Sequence, residues 1–227
     1  MRGSLAAGAR RPPPGRMVDA SPPGARVTLA ILLAAGAGRR MGASKALLQL
    51  GAELAVRRCL RALAQGGCDE ARVVLGAQAE AVRAALPQPP PDVVLNPQPD
   101  AGQTGSLKLA LARGPGRGAA FLLHTVDHPL LEPEDVRALL AAFERRTAGQ
   151  AIVVPVVGGR RGHPAVFAAE LAAELLALGD DEPAHRVVRR DPARVLELPL
   201  PNPWLARDLD TPEDLAAARE WLAGRAG

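Results

Sequence analysis

Residues Leu33–Lys45, LAAGAGRRMGASK, follow the apolar run Val27–Leu32, VTLAIL. Six residues of this kind predict a buried strand. The strand therefore runs into a glycine-rich turn with two arginines and ends at a lysine. Glycine adopts unusual backbone angles and puts no side chain in the way. The N–H groups of such a turn can close round phosphate oxygens. Arg39, Arg40 and Lys45 place positive charge at the same mouth. Only two of the 28 basic residues are lysines, Lys45 and Lys108. A compact ammonium at the end of this turn therefore stands out, because it meets a phosphate differently from a guanidinium.

Downstream of the turn, strand and helix patterns alternate. Helical spacing covers Glu53–Gln65, Ala77–Leu86 and Gly105–Ala112, a helix opens at Glu132–Asp135, and Ala169–Leu178 is again helical. Short apolar runs at Ala71–Leu75, Val93–Leu95, Ala119–His124, Ala151–Val157, Ala165–Phe167 and Val195–Leu198 predict strands. Thr211-Pro-Glu-Asp reads as a capped helix start. This alternation predicts an α/β fold of three layers, Rossmann-like, with a mostly parallel central sheet. In such sheets ligands sit at the carboxyl ends of the strands. The loops Gly36–Lys45, Asn96–Ser106 and Val126–Pro129 all follow predicted strands, so they should gather on one sheet edge.

Composition narrows the function classes. Residues 1–26 carry five arginines against one acid, whereas the remaining chain holds 23 cations and 23 acids. The basicity thus belongs to a Pro/Arg-rich tail, expected to be disordered, in front of one domain over 27–227. Aromatic residues are 2% of the chain, so there is little to stack nucleic-acid bases on. No run approaches the ~20 apolar residues of a membrane span. The tail followed by VTLAILLAAGAG also has the outline of a secretory signal, but cleavage there would discard the glycine turn. Cys59 and Cys68 lack metal-ligand spacing and read as idle thiols of a cytoplasmic protein.

Three phosphate-binding patterns compete for the turn. A Walker loop needs GxxxxGK[ST], but Gly42 is followed by Ala43-Ser44-Lys45. A dinucleotide fingerprint needs GxGxxG, but the glycines stand at 36, 38 and 42, one residue too far. The third pattern, LAAGxGxRMGxxK, is filled at every specified position by Leu33, Ala34, Ala35, Gly36, Gly38, Arg40, Met41, Gly42 and Lys45. Four more motifs follow in order: NPQPDAGQTGSL (Asn96–Leu107), VDHPLLEP (Val126–Pro133), RRGHPAVF (Arg160–Phe167) and DLDTPEDL (Asp208–Leu215). Over residues 27–224 the chain resembles the molybdenum-cofactor nucleotidyltransferases with a MobA-like fold, most closely the molybdopterin cytidylyltransferase type.

That resemblance implies a reaction and a set of roles. A phosphate on a molybdopterin-type acceptor attacks the α-phosphorus of CTP, and pyrophosphate leaves. Such chemistry depends on charge neutralisation and in-line positioning. Arg40 and Lys45 would hold the triphosphate, and Asp127 would ligate Mg²⁺ with Asp210 as a second carboxylate. Asp208 and Asp210 equally suit caps of the Thr211 helix. Leu33, Ala34, Ala35, Gly36, Gly38 and Gly42 would form the nucleotide cradle. Asn96, Gln103 and Ser106 would contact base and ribose. His163 would face the acceptor, and His128 would support Asp127 or join the acceptor side. His124 and His185 receive no role. Ala35, where guanylyl-transferring relatives have glycine, favours CTP through a methyl pressing on the base. Where relatives read GDxGAR, this chain has Gly179–Arg186 without that glycine, which bears on the acceptor side. Related readings keep the fold with GTP or another phosphorylated acceptor, or bind nucleotide or cofactor without turnover. A client molybdoenzyme or its chaperone would be a further partner.

Overall fold

The computed structural model describes residues 27–36, 38, 44–76, 78–179 and 181–225. Arg40, expected to hold the triphosphate, and Gly42, expected in the nucleotide cradle, lie outside the described residues, as does the tail 1–26.

The element order begins with β1 (Val27–Ala34), the small ribbon β2 (Gln49–Leu50) and β3 (Glu53–Leu54), then α1 (Ala55–Gln65), β4 (Glu70–Leu75), α2 (Ala79–Ala84), β5 (Asp92–Leu95) and α3 (Gln103–Leu111). It continues with β6 (Ala120–Thr125), α4 (Pro133–Glu144), β7 (Ile152–Val157), β8 (Arg160–Arg161), β9 (Ala165–Ala168), α5 (Leu171–Leu176), α6 (His185–Arg190), β10 (Val195–Pro199) and α7 (Pro212–Ala223). The main sheet runs β10-β7-β9-β6-β1-β4-β5, with β8 paired to β7. The β1 pairs with β4 and β6, the β4–β5 pair and the β7–β10 pair are all parallel, while β9 is antiparallel to both neighbours.

The antiparallel strand has a local cause. Gly158 and Gly159 have φ of 55° and 78°, and Val157 pairs with Arg160 across them. Two residues at positive φ make the tight turn whose twist matches a hairpin. The chain reverses at once, and no crossover is available to make the next strand parallel.

Alternate residues of the central strands feed two cores. Ile31, Leu33 and Val74 join the larger one, and Leu32, Ala34, Val73 and Leu75 join the smaller. Both sheet faces are therefore covered, as a mostly parallel sheet requires. Cys59 and Cys68 are free and buried, and burial pushes both thiols up to about 12. They are packing groups with no nucleophilic thiolate near neutral pH. Among the described residues no helix is long and apolar enough to cross a membrane.

Register positions the site. Leu33 lies opposite Val74 on one side and Thr125 on the other, so β1 and β6 end side by side. Val126 N–H then donates to the Leu33 carbonyl at 3.0 Å. The glycine turn and the Val126–Pro129 turn thus leave the sheet about one strand spacing apart, roughly 5 Å.

Candidate active site

Lys45 opens a 3-10 turn, Lys45–Leu47, directly after the buried Ser44. Its ammonium reaches two carboxylates: Asp127 at 3.7 Å and Asp210 in a close ion pair. Asp127 comes from the turn after β6, and Asp210 from the segment before α7. That segment is pinned to the turn by Leu209 N–H donating to the Asp127 carbonyl at 2.8 Å. Three residues far apart in sequence therefore meet at the carboxyl ends of β1 and β6.

The Asp210 carboxylate makes this contact while the capping of α7 falls to other residues. Thr211 accepts from Asp214 N–H, and Asp214 in turn accepts from the Thr211 backbone, closing a capping box. Arg207 beside Asp214, first among its partners, holds that carboxyl down at about 2. Asp208 also turns away from the helix and meets His128, with Nε2 to Oδ1 at 2.9 Å. That hydrogen bond is the main reason the Asp208 carboxyl lies below its usual range.

The other His128 nitrogen, Nδ1, faces the Thr125 hydroxyl at 3.0 Å. With both nitrogens engaged, His128 supports the Asp127 turn. Its ring lies 4.9 Å from that of His163, and the fully buried His124 completes a triangle at 6.4 Å from each. Burial, and then the neighbouring His128, pushes His163 down to about 4. The same causes, with His163 added, hold His124 well below the ordinary histidine range. These two imidazoles are neutral near pH 7. The motif bearing His163 is fixed by close approach. A Cβ on Gly162 would lie 2.0 Å from the Leu205 carbonyl, and His163 N–H donates to that same oxygen at 2.7 Å.

A cavity of about 620 Å³ opens beside this cluster, reached by Leu33, Gln103, Thr125, Asp127, His128, His163 and Asp208. Gln103, the exposed first residue of α3, lines it. Asn96 and Ser106 differ from expectation. They are 6% and 3% exposed, and Asn96 Nδ2 donates to Ser106 Oγ at 2.8 Å. Their polar groups are used on each other and, through Asn96 Oδ1, on the Gln98 N–H at 2.8 Å, tying the loop to α3. Ala34 and Ala35 are buried in the smaller and larger core respectively. The turn therefore does not present an Ala35 methyl for direct contact with a base, and the steric argument for CTP is corrected accordingly. Gly36 has open space around it, and Gly38 has φ of 59°, where a side chain would be strained.

Three residues the sequence left without a site role also belong here: His124, Asp208 as the partner of His128, and His185 on the cavity wall. Capping-box register was the readable signal for Asp208, since only Asp214 stands three residues after Thr211.

A sequence model of the MobA-like NTP transferase domain matches residues 30–195. The chain belongs to that family. The match stops short of Asp208 and Asp210, so the C-terminal arm of the cluster lies beyond it. Among characterised relatives, nicotine blue oxidoreductase of Paenarthrobacter nicotinovorans is 32% identical over 190 residues, covering 82% of this chain and 93% of that protein. Rv0371c of Mycobacterium tuberculosis H37Rv superposes with a TM-score of 0.76 at 29% identity, over 86% of this chain and 98% of that one. Rv0371c has also been solved as a complex with manganese. Molybdopterin-guanine dinucleotide biosynthesis protein A of Archaeoglobus fulgidus, at 19% identity and a TM-score of 0.64 over 87% of this chain and all of that one, shares the fold. The protein is thus a nucleotidyltransferase of the MobA-like family with the mixed α/β sheet of its structural neighbours.

Proposed function

We propose that the protein transfers CMP from CTP to the phosphate of a molybdopterin-type acceptor. An acceptor phosphate oxygen attacks the α-phosphorus, the bond from that phosphorus to the β-phosphate bridge breaks, and pyrophosphate departs. The observation that carries this reading is the meeting of Lys45, Asp127 and Asp210 at the mouth of a cavity lined by histidines.

Lys45 neutralises the triphosphate and the leaving pyrophosphate, with Arg40 as its partner from the glycine turn. Two carboxylates that already converge on one positive charge fit a divalent cation. Hard oxygen ligands, with substrate phosphates completing the shell, suit Mg²⁺. The manganese complex of Rv0371c supports a divalent metal in this fold. When bound, the ion would supply charge stabilisation at the phosphates. Lys45 would then yield its place between the carboxylates and turn to the nucleotide. Gln103 reads the nucleotide, and the Asn96–Ser106 pair holds its loop. His163 meets the acceptor as a neutral ring, while His128, held by Asp208 and Thr125, stiffens the turn that carries Asp127.

CTP is preferred over GTP on the resemblance of the LAAG turn, Leu33–Gly36, to that of the cytidylyl-transferring type. The decisive assay incubates the protein with labelled CTP, Mg²⁺ and molybdopterin. The expected product is the cytosine dinucleotide of the cofactor together with pyrophosphate. In parallel, CTP with Mg²⁺ should raise Tm more than GTP does; equal or reversed shifts remove the CTP preference.

The 32% identity to nicotine blue oxidoreductase supports a second reading, reduction or oxidation of a ring substrate in the same cavity. The glycine turn lacks the dinucleotide fingerprint, which favours transfer. NADH or NADPH consumption without CMP transfer would reverse that order.

A further inference from the structure

The cavity carries a second set of cations that phosphoryl transfer does not use. Arg160 and Arg161 form β8 on one wall, and His185 and Arg189 lie on α6 on another. Most guanidiniums nearby are matched by acids. Arg161 pairs with Glu197 at 2.7 Å, Arg186 with Glu182, and Arg190 and Arg194 share Glu174 at 2.7 and 2.8 Å. Arg160 and Arg189 have no acidic partner among the described residues, and both are exposed. Glu182, though it borders the cavity, is turned to Arg186 and to Gly179 N–H at 2.8 Å. After these pairings, Asp181 is the acid left on that side of the cavity among the described residues to oppose two guanidiniums.

One unpaired surface arginine needs no explanation. Two from separate elements opening into one cavity make a positive rim, and a guanidinium fork suits bidentate contact with phosphate or carboxylate. The lining also has apolar members, among them Leu107, Val154, Phe167 and Val188. Such a surface suits the faces of a ring system. The reaction assigned to Lys45, Asp127 and Asp210 gives no role to Arg160 or Arg189, although Asp127 lines the same cavity.

We propose that Arg160 and Arg189 clamp a second anionic group of the acceptor, distinct from the phosphate that reacts. The acceptor class is then a ring system with a reacting phosphate and a further negative charge. This rests on the reading of the cavity as the acceptor site.

The test uses two probes with the same ring, 6-carboxypterin and 6-hydroxymethylpterin, titrated calorimetrically into the full chain without nucleotide. The wild type should bind the carboxylate about tenfold tighter, an advantage that shrinks with added salt. Arg160→Gln and Arg189→Gln should each remove about threefold of that preference, and the double variant nearly all of it. Both side chains are exposed and unpaired with acids, so the variants' Tm should match the wild type. In the transfer assay the double variant should raise the acceptor KM about tenfold while the KM for CTP holds. Equal affinity of the wild type for the two pterins overturns the clamp, as does a double variant that keeps the preference. Absence of CMP transfer in the wild type overturns the proposed reaction instead, and the pterin titrations still decide the clamp.

Discussion

The two sides of the site solve opposite electrostatic problems. On the side of the glycine turn, Lys45, Asp127 and Asp210 concentrate charge at a partly exposed mouth. On the cavity side, His124 and His163 are held neutral by burial, around a His128 whose two nitrogens are engaged. Phosphoryl transfer needs fixed charge where the phosphates react, because its transition state spreads negative charge over many oxygens. Holding a ring-bearing acceptor needs shape and a few neutral polar groups. One turn, Val126–Pro129, serves both, since Asp127 faces the charges and His128 the imidazoles.

The sharpest way to break this division is to remove its charges. Asp127→Ala should lower CMP transfer on the order of 10³-fold or more, measured as labelled pyrophosphate released. Lys45→Ala should cost about 10²–10³-fold, the usual effect of losing one preorganised contact to developing charge. Neither should change Tm by more than a few degrees, because both groups are partly exposed. Turnover within tenfold of wild type for Asp127→Ala would mean that the reacting phosphate lies elsewhere.

Much of the charged side was legible in the sequence, and much of the histidine side was not. Lys45 and Asp127 follow strands that are easy to read, and parallel strands deliver their exits to one edge. The histidine triangle draws on β6, the turn after it and the loop leading into β9, and its closeness depends on β9 lying next to β6. That placement follows from a two-glycine hairpin, a signal in the sequence whose consequence for the sheet is long-range. Asn96 and Ser106 read as ligand contacts because both are polar in a polar loop. Nothing in their spacing tells that the two side chains bond to each other. Asp208 and Asp210 were separable in principle from a cap by register alone.

Acid titration probes the neutral side. A histidine whose folded pKa lies below its unfolded value of about 6.5 adds stability that is present above pH 6.5. That stability is lost as pH falls towards the folded value, about 4 for His163. Tm should therefore fall by roughly 5 °C between about pH 7 and about pH 5. His163→Gln should flatten that slope, since glutamine takes up no proton in the window. An unchanged slope would show that His163 is solvated, and the contrast between the two sides would then rest on His124 alone.

The smallest expected effect separates the charge cluster from the helix that follows it. Thr211 and Asp214 cap α7, while Asp208 and Asp210, a few residues earlier, reach into the site. Thr211→Ala removes the cap hydroxyl and should cost about 1 kcal/mol, read as a small drop in the urea midpoint. The segment before α7 is also anchored by Leu209 N–H on the Asp127 carbonyl and by the contacts of Asp208 and Asp210 themselves. Asp210 N–H and Thr211 both donate to Asp214, so the two sites share one partner. With the other anchors in place, transfer activity at low temperature should still stay within about twofold of wild type. A larger loss of activity than of stability would mean that the helix start aims the two carboxylates, and that the charged side extends into α7.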